Sequence, residues 1–459
     1  MKLFPPLLRI DENEGFNPAK DIFGRKKIGE GLTHLVSQVE DPLVLAVDGQ
    51  WGSGKTIFLK MWQGELKKRG FPVVYFDAFA NDYMEDAFVP LAAEIIGLAQ
   101  TKLKADLSKL DDLKVKTTKV AKVVMRSALK IGIKVATFGA LDAGDIEGTI
   151  ADEVETVFDK HIGELITKHD VVKSDMVAFK EALESLPTLF SPDVQSGEQV
   201  KPIVVIIDEL DRCRPSYALQ LLERMKHFFS VPKVHFVLGV NLDQLANSVV
   251  ATYGPGIDGR LYLQKFIQLS IQLHDRFEHD EITTSSKFLA HLIVQSDLKG
   301  KNLEFVTECK EELQKISNHA NFDLRTLEQI YGHIIRVAAT VPENHFRNAQ
   351  IIVGLSILKV KYPKLFLKAK DKSLEYSEVL TAFALLDSND PKYNSRGSGY
   401  EMRLSDQSWF ENWWRYVSDK DCSESFIEQM RKTVRHNFRT RFDFLQVCAN
   451  NQIDKFSSA

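Results

Sequence analysis

Residues 43 to 62 read LVLAVDGQWGSGKTIFLKMW. An apolar, β-branched run leads into G-x-x-x-x-G-K-T, from Gly49 to Thr56, and apolar residues then recur at helical spacing. The order demands a buried strand, a glycine-rich turn and a helix N-terminus in immediate succession. Such a turn lets successive backbone N–H groups converge on one point, and the helix start adds partial positive charge. Phosphate is the ligand this suits. Lys55 would reach the β and γ phosphates of a nucleotide, and the Thr56 hydroxyl would sit on Mg²⁺. Nucleotide contact is expected at Gly49, Trp51, Gly52, Ser53, Gly54, Lys55, Thr56 and Ile57. The competing reading is a purely structural turn between strand and helix, which the flanking pattern disfavours.

Three further runs, 73 to 77 (VVYFD), 202 to 208 (PIVVIID) and 235 to 240 (HFVLGV), match 43 to 48 in character. They are too apolar for half-exposed strands and read as central strands of a parallel sheet covered on both faces. Helical patterns separate them, so the expected architecture is α/β with crossover helices. A long connection, residues 80 to 200, is mostly helical in pattern and reads as an inserted subdomain. Beyond about residue 275 strand signals fade. The expected organisation is a nucleotide-binding core over 1–275 with the 80–200 insertion. A helical lid over 276–345 and a C-terminal helical region over 346–459 follow, the latter broken by a polar loop at 387 to 399.

The second half of a phosphate site is a carboxylate at the end of another central strand. In IVVIIDELDRC, Asp208 is placed to hold Mg²⁺ and Glu209 to polarise an attacking water as general base. The alternative is that these acids cap the helix of PSYALQLLERM. In FVLGVNLDQL, Asn241 follows a strand, where it can sense a γ-phosphate or orient water. It can equally cap the next helix, as can Asp243. The expected catalytic set is therefore Lys55, Glu209 and Asn241, with Thr56 and Asp208 as metal ligands and ATP with Mg²⁺ as the bound species.

The 459 residues are 44% hydrophobic and 27% charged with a net charge of -4, ordinary for a globular chain and without a global basic field. Cys213, Cys309, Cys422 and Cys448 are scattered and form no CxxC pair, which argues against a zinc site and a disulfide framework. MKLFPPLLRIDENEG is broken by prolines and followed by acids, so no secretory signal is expected. Nor does any stretch reach the ~18 uncharged apolar residues of a spanning helix.

Five blocks in order over residues 20 to 350 resemble the KAP family of P-loop NTPases. DIFGRKKIGEGLTHLV is similar to the family's opening segment, and GQWGSGKT to its tryptophan-containing P-loop. VVYFDAFANDYMED resembles the second-strand segment, with Asp77 and Phe79 where Asn and Trp are usual. IDELDRCRP matches the Walker B signature, with Asp208-Glu209 in place of the frequent Asp-Asp, and GIDGRLYLQKFIQLSIQL the approach to a fifth strand. The resemblance implies that Gly24 and Arg25 lie near the base. It implies a sensor role for Arg325, and makes Arg260 and Lys265 candidates to reach a neighbouring subunit's γ-phosphate; a plain surface role is open for all three. It also implies an ATPase of prokaryotic antiviral (phage) defence. The rival is a nucleotide-switched scaffold that assembles with a partner or on a membrane surface, hydrolysis only resetting it.

Two basic segments bear on partners. In KVKTTKVAKVVMRSALKIGIKVATFGALDAG, 114 to 144, Lys119, Lys122, Arg126, Lys130 and Lys134 are three or four residues apart and share one helical face beside an apolar one. The segment can lie on an anionic membrane surface, contact nucleic acid or an acidic partner, or present a solvated face. Spanning is excluded by the cost of five cations at ~2.5–3.5 kcal/mol each. Near the C-terminus WFENWWRY precedes RKTVRHNFRTRF, 431 to 442; basic and aromatic residues together suit single strands, yet the tryptophans fall at helical spacing and suit a core. The expected location is the cytoplasm, with a peripheral membrane contact as the variant, and the expected partners are a homo-oligomer or another protein.

Overall fold

The computed structural model describes residues 8–102, 200–226, 228–273, 284–320, 322–343, 345–383, 409–433 and 440–454, with 177, 179–181 and 183–190. Apolar runs form the sheet as expected. Strands β1 (Val44–Asp48), β3 (Ile203–Asp208) and β4 (Val234–Val240) are buried at every residue, because helices cover both faces. Strand β2 (Val73–Asp77) lies at one edge, and β5 (Leu269–Gln272), short and largely exposed, at the other. The order is β2-β3-β4-β1-β5, with every pairing parallel. Each strand expected from the pattern is present within a residue of its expected ends. The fifth is too short and exposed to stand out by periodicity.

Register decides where the acids go. Asp48 pairs with Val240 and Gln272, while Asp208 pairs with Asp77 and Gly239, so all these residues finish level at the carboxyl edge. The chain leaves β1 for β2 at one edge and reaches β5 on the other side. The carboxyl end of β1 is thus where winding reverses, the position at which open α/β sheets take ligands.

Period-two alternation divides the core. Val204 and Ile206 join Leu45, Val47 and Val237 under α1 (Lys26–Gln38) and α2 (Lys55–Lys68), which contribute Val36, Phe58 and Trp62. Val205 and Ile207 face the other way, among residues of α3 (Phe88–Lys102), α4 (Pro215–Met225) and α5 (Leu242–Tyr253). Of the expected insertion, Phe179, Leu183 and Leu186 enter this second core, Phe179 edge-on to Phe88 and Phe228. The basic segment 114–144 and the loop 387–399 lie outside the described residues, as does 434–439 of the second basic stretch.

The chain divides into two compact units, one of Arg9–Gln50 and Gly54–Leu273, the other of Met1–Leu8, Trp51–Ser53 and His274–Ala459. Among the described residues, the regular elements of the second are all helices. Its centre is α6 (Ala349–Lys361), buried from Ala349 to Leu358, as a helix apolar all round must be. A Cβ on Gly354 would lie 2.2 Å from the Trp414 ring, and the Trp414 indole N–H donates to Gln350 O at 3.1 Å. Trp413 and Trp414 are therefore core, while Trp409 is exposed. Among the described residues no helix is long and apolar enough to cross a membrane.

One buried polar chain ties α2 to α1. Trp62 Nε1 donates to Thr33 Oγ1 at 2.9 Å, and that hydroxyl donates to Gly29 O at 2.7 Å. Thr33→Val would leave the indole N–H buried without an acceptor. We expect a loss of roughly 1–3 kcal/mol, seen as a lower urea midpoint with unchanged slope.

Candidate nucleotide site

The turn after β1 is built on two left-handed residues, Gly52 (φ 80°) and Gly54 (φ 81°), the latter immediately preceding α2. Side chains at these angles would be strained, which is why glycine stands there. Within the helical unit, a Cβ on Gly52 would lie 2.8 Å from Asp323 Oδ1 and 3.1 Å from Arg325 N. Arg325 occupies the first turn of a helix, Leu324–Thr340, capped by Asp323, and is exposed. Trp51, in the same turn, is 42% exposed, whereas Ser53 is buried.

Lys55 is buried and donates to Gly49 O at 2.6 Å and Gln50 O at 3.1 Å. The ammonium is thus folded back onto the turn it would leave to meet a phosphate. Burial holds its pKa below the ordinary lysine value, with Asp211 and Asp208 opposing the shift. Ile57 lies in the first turn of α2 beside Thr56 and packs against the α2 side of the core.

Across the sheet, Asp208 is 1% exposed. Its Oδ1 accepts from Glu209 N at 2.9 Å and its Oδ2 from the Tyr75 hydroxyl at 2.7 Å. Burial raises its pKa; hydrogen bonds from Tyr75, Thr56 and the Glu209 N–H pull the other way. Glu209 has φ 60°, a left-handed conformation that costs a non-glycine residue on the order of 1 kcal/mol or more. Its Oε1 lies 3.5 Å from Thr56 Oγ1 and 2.8 Å from Arg212 Nη1. Burial raises the Glu209 pKa, opposed by Arg212 and reinforced by Asp208 and Asp77. The helix of PSYALQLLERM starts at Pro215 with Arg214 before it, so neither acid caps it. Arg214 instead grips Asp82, its Nε 2.9 Å from Oδ1.

Asn241 takes the capping option: its Oδ1 accepts from Asp243 N at 3.0 Å and Gln244 N at 3.3 Å. Asp48 Oδ1 accepts from Leu242 N at 2.9 Å, joining β1 to the same helix start. Arg260 is engaged within the chain, its Nη2 2.6 Å from Asp243 Oδ1, and Lys265 Nζ lies 4.6 Å above the Tyr262 ring. Arg25 is 1% exposed and sits over the Phe23 ring at 4.7 Å, following Gly24 in a left-handed turn. Sequence reasoning missed Tyr75 and Arg212. A lone phenol in the apolar strand VVYFD and the cation in DELDR were the available signals.

The donors suit Mg²⁺. A threonine hydroxyl and carboxylate oxygens are hard ligands, and Mg²⁺ binds through one or two protein oxygens together with phosphates and water. Among the described residues no cluster of three or more His, Cys, Asp or Glu forms a protein-only cage.

The profile of the KAP family P-loop domain matches residues 25–341. The solved structures similar to the chain include three of low identity. Drosophila ORC bound to DNA is 13% identical over 92% of this chain and 98% of that one, with a TM-score of 0.37. The Aeropyrum pernix ORC2 protein in ADPNP–ADP complexes is 12% identical over 99% and 97%, at 0.34. AMPPCP-bound DnaA from Aquifex aeolicus is 11% identical over 97% and 97%, at 0.27. At these scores the likeness carries no argument. No curated protein matches the chain.

The raised pKa of Asp208 has a sign that can be checked. An acid whose folded pKa lies above its unfolded value costs stability while ionised in the native state, and that cost disappears as pH falls through the folded and then the unfolded value. Asp208→Asn should therefore raise the melting temperature of the ligand-free protein at neutral pH. The gap to wild type should narrow as pH descends towards the ordinary carboxylate range.

Proposed function

Since the chain belongs to the KAP family of P-loop NTPases and is a nucleotide-binding NTPase by that membership, we propose that its reaction is Mg²⁺-dependent ATP hydrolysis. One observation carries the reading: Thr56 of the P-loop helix and Glu209 at the end of β3 meet at 3.5 Å, beside the buried Asp208. Two strands apart in sequence, they are brought together at the end of the sheet.

In this reading the glycine turn and α2 bind the phosphates, and Lys55 exchanges the Gly49 and Gln50 carbonyls for phosphate oxygens. Thr56 and Asp208 hold Mg²⁺, which supplies charge neutralisation at the phosphates when bound. Glu209 accepts the proton of a water whose oxygen attacks the γ-phosphorus as the bond to the β-phosphate oxygen breaks. Burial raises its pKa above the ordinary glutamate value, which makes its carboxylate a stronger base. The Asn241 amide is a further candidate to orient that water, from a backbone position fixed by its own cap. The family resemblance supports a setting in prokaryotic antiviral defence, tested by phage plaquing on cells expressing wild type or Lys55→Ala. Equal plaque counts would sink it.

A second reading is favoured by one contact. Glu209 is paired with Arg212 at 2.8 Å, a contact that competes with the attacking water for the same carboxylate and favours slow hydrolysis, with the ATP-bound form as the working state.

Glu209→Gln should keep nucleotide affinity and lower turnover by roughly 10²–10⁴-fold, whereas Lys55→Ala should lose binding. Wild-type turnover in Glu209→Gln would overturn the assignment. Biological activity surviving in Glu209→Gln but lost in Lys55→Ala would select the switch; loss in both would select a motor.

A further inference from the structure

Strand alternation places Ile206 and Asp208 on one face of β3, and Tyr75 pairs with Ile206 from the neighbouring strand. The Tyr75 ring therefore has the length to run along the sheet to the carboxylate, and its hydroxyl donates to Asp208 Oδ2 at 2.7 Å. The other oxygen is held from the opposite side. Oδ1 accepts the Glu209 N–H at 2.9 Å, and a Cβ on Gly239 would stand 2.6 Å from it and 2.3 Å from Leu59 Cδ1. Only a residue without a side chain leaves the carboxylate its place. Lys60 Nζ, 5.6 Å from the Tyr75 ring centroid, closes the outer face of the phenol.

The Tyr75 hydroxyl and the Glu209 N–H thus fix one Asp208 oxygen each, and the Thr56 hydroxyl bonds the same carboxylate, which leaves it lone-pair capacity for a metal. A carboxylate pinned this way loses little rotational freedom when a metal binds, and donors to a ligating carboxylate set its orientation. We propose that Tyr75 is a positioning residue for the metal half of the site, orienting Asp208 so that Mg²⁺ and nucleotide bind together. The proposal rests on the Mg²⁺–nucleotide reading above. The Tyr75 hydroxyl bonds Asp208, and β3 and β4 separate its strand from the P-loop strand β1, so its effect falls on metal coupling rather than on nucleotide affinity as such.

The test measures binding of a fluorescent ADP analogue to the full chain, in EDTA and across a Mg²⁺ titration, for wild type, Tyr75→Phe, Asp208→Asn and the double variant. Phe keeps the ring and its contact with Lys60, and a ligand-free melt checks that the fold is retained. The expected result for Tyr75→Phe is unchanged affinity in EDTA with a Mg²⁺ requirement raised about 10-fold or more. In the Asp208→Asn background, Tyr75→Phe should add nothing. If wild type binds no nucleotide, or binds it without help from Mg²⁺, the site reading itself fails. If wild type shows the coupling and Tyr75→Phe has the same Mg²⁺ requirement, or weakens binding equally with and without metal, the positioning role is overturned and the site reading stands.

Discussion

Parallel pairing of β1, β4 and β3 in one register is the constraint on which the site depends. Residues 48 and 208 are far apart in the chain, yet the ladder stops both strands at the same edge. A one-residue slip would turn Asp208 to the opposite face and carry it away from Thr56. The register is itself enforced by burial, since every residue of these three strands is shielded and alternate side chains fill two different cores. Hydrophobic burial thus fixes the coordinates of the hydrophilic site.

The site works against the grain of the interior that builds it. Asp208 and Glu209 are both pushed towards the protonated form by burial, with Asp77 adding repulsion. Lys55 is pushed the other way, and folds onto the carbonyls of its own turn. Glu209 adds a backbone conformation that few non-glycine residues adopt. These are local costs of holding charge where a charged ligand will arrive, and the dense aliphatic sheet around them tolerates the expense.

Much of the sheet and its phosphate-binding turn was legible from residues alone, because long buried runs and a glycine motif leave few alternatives. The strand LSIQ was not, since four half-polar residues at an exposed edge carry no periodic signal. Tyr75 shows a different limit. Its partner becomes visible only once β2 is known to lie beside β3 rather than beside β1, and strand order is non-local information. Asn241 marks a third, because one side chain at a strand–helix junction answers to capping and to catalysis with the same pattern. The acids of DELDR carried the same ambiguity in sequence, and the structure resolves it: the helix begins at Pro215, too far on for them to cap.

Crowding Asp77, Asp208 and Glu209 at the end of two adjacent strands also reaches beyond the site. A ligand that brings compensating positive charge to that corner relieves a strain the empty protein must carry. By mass action, occupancy at 100 times the dissociation constant adds about 2.7 kcal/mol to folding stability. Against the narrow margin typical of native proteins, a difference of that size separates a chain that persists from one that unfolds often enough to be degraded. For a protein of ordinary marginal stability, ligand supply therefore acts on the persistence of the fold as well as on turnover at the site.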